Sequence, residues 1–365
     1  MKVGLVVPGF SANEHDWCIP ALLDFARVLA QRAEVHVFTL RWPERAGCYE
    51  VYGVKVHALG GARRLGPRVV SLWAQAAGAI AAEHRRGAFD VLHAFWVDEP
   101  GWVAAWAGRR LGVPVVLSLA GGELSRLADI GYGLLLLPGR KMLVRWAMQQ
   151  AGAVTAGSQY LVELARQSGL AQNVRWMPLG VDTDLFAPTD ESGAEGSQAT
   201  LVSVGSLLPV KDHTLLLRVF RRVVGQEPRA RLLIAGEGPL QAELAAQAAG
   251  LAVRFLGAVN HGALPALYAQ ASLLVQTSRH EAQGLAVLEA AACGVPAVGT
   301  PVGVLPQVGQ ASQGEAALAE ALVGLLRDKA CREALGAAAR TRVLSDFELR
   351  VCVDRTVGLY RELGR

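Results

Sequence analysis

The sequence predicts an α/β protein made of two doubly wound domains in tandem, and three observations carry that reading. The chain has 365 residues, too many for one ordinary hydrophobic core and suited to two domains of about 170 to 190 residues. Short apolar runs alternate with longer helical patterns throughout, the signature of βαβ units whose parallel sheets are covered on both faces. The alternation pauses at a polar stretch, Pro188 to Ala199, rich in Asp, Glu, Ser and Gly, and then restarts. Such a stretch buries little and reads as a linker or surface loop.

In the first half the strand candidates are Val3 to Val7, Val35 to Leu40, Val54 to Leu59, Val91 to Phe95, Val115 to Leu119, Ala153 to Ala156 and Val174 to Met177. The second half offers Leu201 to Val204, Arg231 to Ala235, Val253 to Leu256, Leu273 to Gln276 and Ala297 to Gly299, with helices at Thr214 to Val224, Pro239 to Ala248 and Gly284 to Ala292. Beyond Gln313 the strands stop and the chain reads as helices to Arg365. The expected division is residues 1–178, residues 179–345, and a terminal helical segment, 346–365, that crosses back to the first domain. Open α/β sheets bind ligands outside the carboxyl ends of their strands, so two such domains facing each other are expected to hold the active site in a cleft.

Composition narrows the class. No stretch approaches the roughly 18 uninterrupted apolar residues of a membrane span, and the opening Met1 to Gly9 reads as a strand entering a glycine loop, without the features of a signal peptide. A cytoplasmic enzyme is the expectation. The five cysteines are scattered and form no CxxC pair, which argues against a disulfide framework or a zinc site. Up to Gly180 there are 19 Lys and Arg against 13 Asp and Glu, beyond it 17 against 19, and all eight tryptophans lie in the first part. A basic half suits phosphate-bearing substrates or acidic lipid headgroups; no nucleic-acid partner is expected.

The most informative segment runs from Thr277 to Pro296: TSRHEAQGLAVLEAAACGVP. It leaves a strand, passes through a loop containing Gly284 and enters a helix closed by Gly294, with Pro296 beyond. Glu281 falls on the loop and Glu289 about one turn inside the helix. Backbone N–H groups of about Gly284, Leu285, Ala286 and Val287 are left without helical acceptors, and with the positive end of the macrodipole they form a seat for a diphosphate. A carboxylate on each side can accept hydroxyl hydrogen bonds from sugar and ribose.

Glu281 and Glu289, with seven residues between them in a Gly-Leu and Ala-Cys-Gly-x-Pro context, resemble the signature of glycosyltransferase family 4, retaining enzymes of the GT-B fold. Further segments resemble that family in the right order. Val204 to Lys211, with Gly205 and Ser206, is similar to its glycine loop; Gly236-Glu237-Gly238-Pro239 to its Gly-x-Gly-Pro turn; Phe255-Leu256-Gly257 to the strand end that frames the base; and Pro178 to Asp182 to the entry into the second domain. The resemblance implies two Rossmann-like domains facing an interdomain cleft, and a sugar moved with retention from a nucleotide-sugar such as a UDP-, GDP- or ADP-sugar, without a metal or other cofactor. It assigns Lys211 to the departing diphosphate, Glu281 to the donor sugar, Glu289 to the ribose, and Gly205, Ser206, Gly236, Leu256, Gly284, Leu285 and Ala286 to the donor surface. The acceptor, a carbohydrate, a lipid-linked sugar or a small molecule, falls to the first domain, with Gly9, His93, Trp96, Gly121, Gly122 and Glu123 as its candidate contacts.

The sequence departs from the family pattern at three places. Ser206 stands where an arginine is frequent, Ala120 where a histidine is frequent, and Gln307 where the later Gly-Gly-x-x-Glu element carries its glutamate. These changes keep two other readings open: a GT-B pseudoenzyme or partner subunit that binds nucleotide-sugar or glycan without turnover, and a nucleotide-sugar epimerase. Two carboxylates alone would also suit a glycosidase, but that chemistry needs neither a phosphate seat nor Lys211. Asp182-Thr183-Asp184 imitates a metal-binding DxD yet sits where turn and cap chemistry is expected, and no GxGxxG follows the first strand. His280, beside Glu281, is a stronger functional candidate than His93. The segment 131–146 joins an apolar loop to a basic helix, which suits ordinary packing, acceptor binding or an anionic membrane surface at the inner face.

Overall fold

A computed structural model of the chain describes residues 1–64, 66, 68–171, 173–188 and 199–364. Most of the polar linker expected from the sequence, 189–198, lies outside the described residues. The chain divides into two compact units, one formed by Met1–Gly180 with Leu349–Arg365 and the other by Val181–Glu348.

The first unit is an eight-stranded sheet. Its strands are β1 (Lys2–Gly9), β2 (Glu34–Trp42), β3 (Gly47–Val51), β4 (Val54–Ala58), β5 (Val91–Phe95), β6 (Val115–Leu119), β7 (Ala153–Ala156) and β8 (Val174–Trp176), in the order β3-β4-β2-β1-β5-β6-β7-β8. All neighbours are parallel except β3 with β4. The helices are α1 (Pro20–Leu29), α2 (Arg68–Arg86), α3 (Glu99–Leu111), α4 (Arg140–Gln150) and α5 (Gln159–Gln167). Strands β5 and β6 are buried at every position, which is why they read as unbroken apolar runs and not as alternating ones.

The second unit has β9 (Thr200–Val204), β10 (Arg231–Ala235), β11 (Val253–Gly257), β12 (Leu273–Gln276), β13 (Ala297–Gly299) and β14 (Gln310–Ala311) in the order β11-β10-β9-β12-β13-β14, all parallel. Its helices are α6 (His213–Val224), α7 (Gln241–Gln247), α8 (Leu264–Ala269), α9 (Leu285–Ala292), α10 (Leu305–Val308), α11 (Glu315–Arg327) and α12 (Lys329–Asp346). Leu216, Leu217, Val219, Phe220 and Val223 of α6 pack with Leu318, Leu322 and Val323 of α11 in the core, an apolar stripe at helical spacing.

The last helix, α13 (Leu349–Leu363), returns to the first unit, where Leu349, Val353, Val357 and Tyr360 join the core beside Leu22, Phe25 and Leu29 of α1. Burying such side chains contributes about 1.5–3 kcal/mol each, so α13 is a structural part of that unit. Two topological switch points result: β1 lies between β2 and β5, and β9 lies between β10 and β12. In each sheet the crevice outside the carboxyl ends of these central strands is where a ligand is expected. Among the described residues no helix is long and apolar enough to cross a membrane.

Candidate functional site

The second unit gathers the residues singled out from the sequence at the carboxyl ends of β9 and β12. The loop leaving β9 is fastened to its neighbours by backbone bonds: Gly205 N–H donates to the Ala235 carbonyl at 2.9 Å and Leu207 N–H to the Glu237 carbonyl at 2.9 Å. Gly236 has φ +138°, and a Cβ there would stand 2.0 Å from the Gly205 carbonyl oxygen, so this close approach requires glycine. The loop then closes in a 3₁₀ turn, Pro209–Lys211, and Asp212 caps α6 by accepting from Leu215 N–H at 3.0 Å.

Residues after β12 hold that turn from the other side. Thr277 Oγ1 lies 3.2 Å from the Lys211 carbonyl and 3.0 Å from that of Asp212, and Arg279 N–H donates to the Val210 carbonyl at 2.8 Å. The two loops bring Lys211 Nζ to 2.6 Å from Glu281 Oε1, and the same oxygen accepts from Ser278 Oγ at 2.6 Å. Glu281 is further backed by Gly303, whose added Cβ would meet the Glu281 Cβ at 2.8 Å.

Helix α9 opens directly beyond. Gly284 precedes it with φ +91° and no side-chain cap, a left-handed entry that favours glycine. The N–H groups of Leu285 and Ala286 therefore begin the helix without intrahelical acceptors. Gly205, Lys211, Glu281 and Ala286 line one hollow, partly open to solvent, with Ser203, Gln276 and Ser278. A neutral histidine also lines it: burial and the Lys211 charge push His213 down to about 4. His280 is buried. Ser206 is exposed on the loop, Leu256 is half-buried at the end of edge strand β11, and neither lines the hollow.

Glu289 lies deeper, buried on α9, where Tyr268 Oη donates to its Oε2 at 2.8 Å. Tyr268 is fully buried beside Phe186, and burial together with the neighbouring Glu289 raises its hydroxyl well above the usual range. The tyrosine therefore stays protonated and donates. The sequence reading did not include it, although Leu264 to Ala269 shows helical spacing; only the fold brings residue 268 against residue 289.

In the first unit two of the acceptor-side candidates lie in the interior. His93 is 3% exposed, with Nδ1 2.5 Å from Tyr360 Oη and Nε2 2.7 Å from Ser118 Oγ. Burial pushes it down to about 3, and both ring nitrogens are engaged by α13 and β6. Glu123 is 2% exposed, and its Oε1 accepts from Val97 N–H at 3.2 Å and Ala120 N–H at 3.0 Å while Oε2 accepts from Gly121 N–H at 2.7 Å. It ties the turn after β5 to the turn after β6.

The remaining acceptor-side residues cluster around that clamp. Trp96, with φ +70°, packs its indole where a Cβ on Gly121 would lie 2.6 Å away, and Gly122 faces the Tyr132 ring, where a Cβ would lie 2.8 Å away. Gly9 is buried at the end of β1 against Cys18 and Trp42. Elsewhere in the first unit, side-chain atoms of His36 on β2, His57 on β4 and Glu83 on α2 come within 4.8 Å of one another. Their atoms are engaged by protein partners: His57 Nε2 with His36 Nδ1 at 3.0 Å, His36 Nε2 with Glu34 at 3.0 Å, and Glu83 with Lys2 and Arg86, each at 3.1 Å.

Comparison with known proteins identifies the family and the fold. The family described as "Glycosyl transferases group 1" matches residues 189–342, and "Glycosyltransferase Family 4" matches residues 21–185. A GDP-mannose-dependent monoacylated alpha-(1-6)-phosphatidylinositol monomannoside mannosyltransferase of Corynebacterium glutamicum is 28% identical over 298 residues, covering 74% of this chain and 76% of its own. Among solved structures, sucrose-phosphate synthase from Thermosynechococcus elongatus superposes with a TM-score of 0.81 at 21% identity, covering 99% of this chain and 98% of that one. HepE of Anabaena in complex with UDP and glucose gives 0.74 at 17% identity, covering 99% and 100%. The two family matches adjoin one another across the two units, and with a GT-B fold in the solved relatives they make this chain a member of the group 1 glycosyl transferases of glycosyltransferase family 4.

Proposed function

We propose that the chain transfers a sugar from a nucleoside-diphosphate-sugar to an acceptor hydroxyl with retention and without a metal, the donor being held by the second unit. The observation that carries this reading is the Lys211–Glu281 contact of 2.6 Å beside the start of α9. Expelling a nucleoside diphosphate builds negative charge, and a lysine together with preorganised N–H groups stabilises that charge in a partly shielded site. Lys211 is the cation for the diphosphate, with the N–H groups of Leu285 and Ala286 as its partners. Glu281 holds donor hydroxyls once the diphosphate takes over the lysine, and Glu289 holds the ribose.

Retention follows from a same-face reaction in which the departing phosphate receives the acceptor proton. Neither carboxylate then has to act as a hydrolytic acid or base. The donor base and sugar are found by thermal shift with UDP-, GDP- and ADP-sugars, since a ligand of the native state raises its stability by mass action. One nucleotide class should raise the melting temperature and lose that effect in Glu289→Ala; stabilisation by none of them, or by all of them equally in that variant, contradicts the donor site.

The acceptor side includes an anionic membrane surface in this reading. Leu137, Met142 and Leu143 are 51%, 76% and 39% exposed alongside Lys141 and Arg145 of α4, which are also exposed. Apolar side chains flanked by cations suit the headgroup boundary of an anionic bilayer. Flotation with phosphatidylglycerol vesicles should carry the protein upward and should fail with phosphatidylcholine; equal flotation with both, or with neither, removes the electrostatic attachment.

A further inference from the structure

Strand β12 ends on an amide where the residues before it are apolar. Leu273, Leu274, Val275 and Gln276 are all buried. Leu273 and Val275 join the core with α6 and α11, so the alternation of a strand turns Gln276 to the opposite face, where it meets the start of α9. A Cβ added to Gly284 would lie 3.2 Å from Gln276 Oε1 and 3.8 Å from Nε2. The carbonyl end of the amide is therefore the one nearer the positive end of the helix, an orientation that the macrodipole favours, and the NH₂ end lies farther off.

Gln276 is 9% exposed, and its Nε2 has no hydrogen-bond partner in the protein. Buried amides are ordinarily paired, and one that is not lowers stability. Gln276 lines the same hollow as Gly205, Lys211, Glu281 and Ala286. His213, buried in that lining, has an unpartnered Nδ1, so two side chains around one hollow lack partners there. Lys211 is the one cation that lines it among the described residues, and a nucleoside diphosphate carries more negative charge than one ammonium neutralises. A shielded amide N–H binds a phosphate oxygen without the burial of a second charge. Glu281, placed at the donor sugar in the reading above, lines the hollow, and Glu289, placed at the ribose, does not. The phosphate that reaches the hollow is then the one next to the sugar.

We infer that Gln276 donates an amide N–H to the β-phosphate of the nucleoside-diphosphate-sugar, beside the ammonium of Lys211. This rests on the donor reading above and involves the second unit alone. As the bond from the anomeric carbon to the β-phosphate oxygen breaks, the electron pair stays on that oxygen. The hydrogen bond from Gln276 strengthens as the charge builds, and the amide gives up no proton.

A nucleoside diphosphate and its monophosphate share base, ribose and α-phosphate, so the two together isolate the contact. One of UDP, GDP and ADP should raise the melting temperature of the wild type, and titration gives its Kd, with UMP, GMP or AMP as the matching reference. Gln276→Met keeps the length of the side chain and removes the amide. It should melt no lower than wild type, because it deletes a sealed donor that has no protein partner. Its Kd for the diphosphate should rise about 10-fold, the size of a hydrogen bond to a charged group, with the Kd for the monophosphate within twofold of wild type. Gln276→Glu keeps the shape and replaces the donor with a negative charge, so it should abolish the diphosphate shift. A diphosphate Kd within twofold of wild type in Gln276→Met overturns the contact, as does an equal loss for diphosphate and monophosphate, which would assign Gln276 to the fold. A loss confined to UDP-glucose, GDP-mannose or ADP-glucose, with the free diphosphate unaffected, also overturns it and moves Gln276 to the sugar. Stabilisation of the wild type by none of UDP, GDP and ADP overturns the donor reading on which the inference rests.

Discussion

At the switch point of the second sheet the backbone donors are left for a ligand, whereas at the switch point of the first they are consumed by the protein. After β12 the chain enters α9 through Gly284 with no side-chain cap, and a lysine stands beside it, its ammonium resting on Glu281 at 2.6 Å. After β5 and β6 the N–H groups of Val97, Ala120 and Gly121 are bound by the Glu123 carboxylate, and a second carboxyl, Asp98, is left with an unpartnered oxygen. An anion finds a cation and free donors in the second crevice. In the first it would meet carboxyl groups. The same topology therefore presents a lysine beside a helix start in one sheet and backbone donors already bound by a carboxylate in the other.

The strongest way to break this contrast is to remove the cation. Lys211→Ala leaves Glu281 bound to Ser278 but takes away the one cation that, among the described residues, lines the hollow and would complement a departing diphosphate. Deleting one electrostatic stabiliser of a transition state costs on the order of 10²–10³ in turnover, so transfer or donor hydrolysis should fall by about that factor. The melting temperature should change little, since Lys211 is partly exposed and contributes one pair. A variant that retains turnover within about threefold would show that the helix start alone supports departure, and the electrostatic division between the two units would fail.

What could be read from the sequence followed from how many faces each element buries. Strands covered on both sides, such as β5 and β6, announce themselves as apolar runs, whereas β3 went unread because its residues are mostly exposed and it pairs antiparallel at the sheet edge. Strand β14 is two exposed residues, Gln310–Ala311, too short to carry a pattern. Lys211 and Glu281 were legible because each sits in a loop whose glycines and flanking helix fix its chemistry. The surroundings of His93 and Glu123 were not legible because they depend on partners that spacing does not reveal: Tyr360 lies 267 residues from His93, and Glu123 binds backbone donors, which no motif records.

Tyr268 offers the finest test, because it acts on the donor side without touching the hollow. Its hydroxyl holds Glu289 Oε2 at 2.8 Å from a fully buried position, so it fixes where the carboxylate proposed to bind the ribose points. Tyr268→Phe keeps the ring against Phe186 and removes one buried hydrogen bond, worth about 1 kcal/mol net, or about fivefold in an equilibrium constant. Because the ribose is bound in ground and transition states alike, the loss should fall on KM for the donor and leave kcat nearly unchanged. The penalty should also be smaller for a donor lacking ribose hydroxyls, since a carboxylate with nothing to bind gains nothing from being held in place. A fall in kcat with KM unchanged, or equal penalties for the ribose and deoxyribose donors, would assign Tyr268 to packing alone. The second crevice would then owe its specificity to Glu281 and Lys211, without a held carboxylate beneath them.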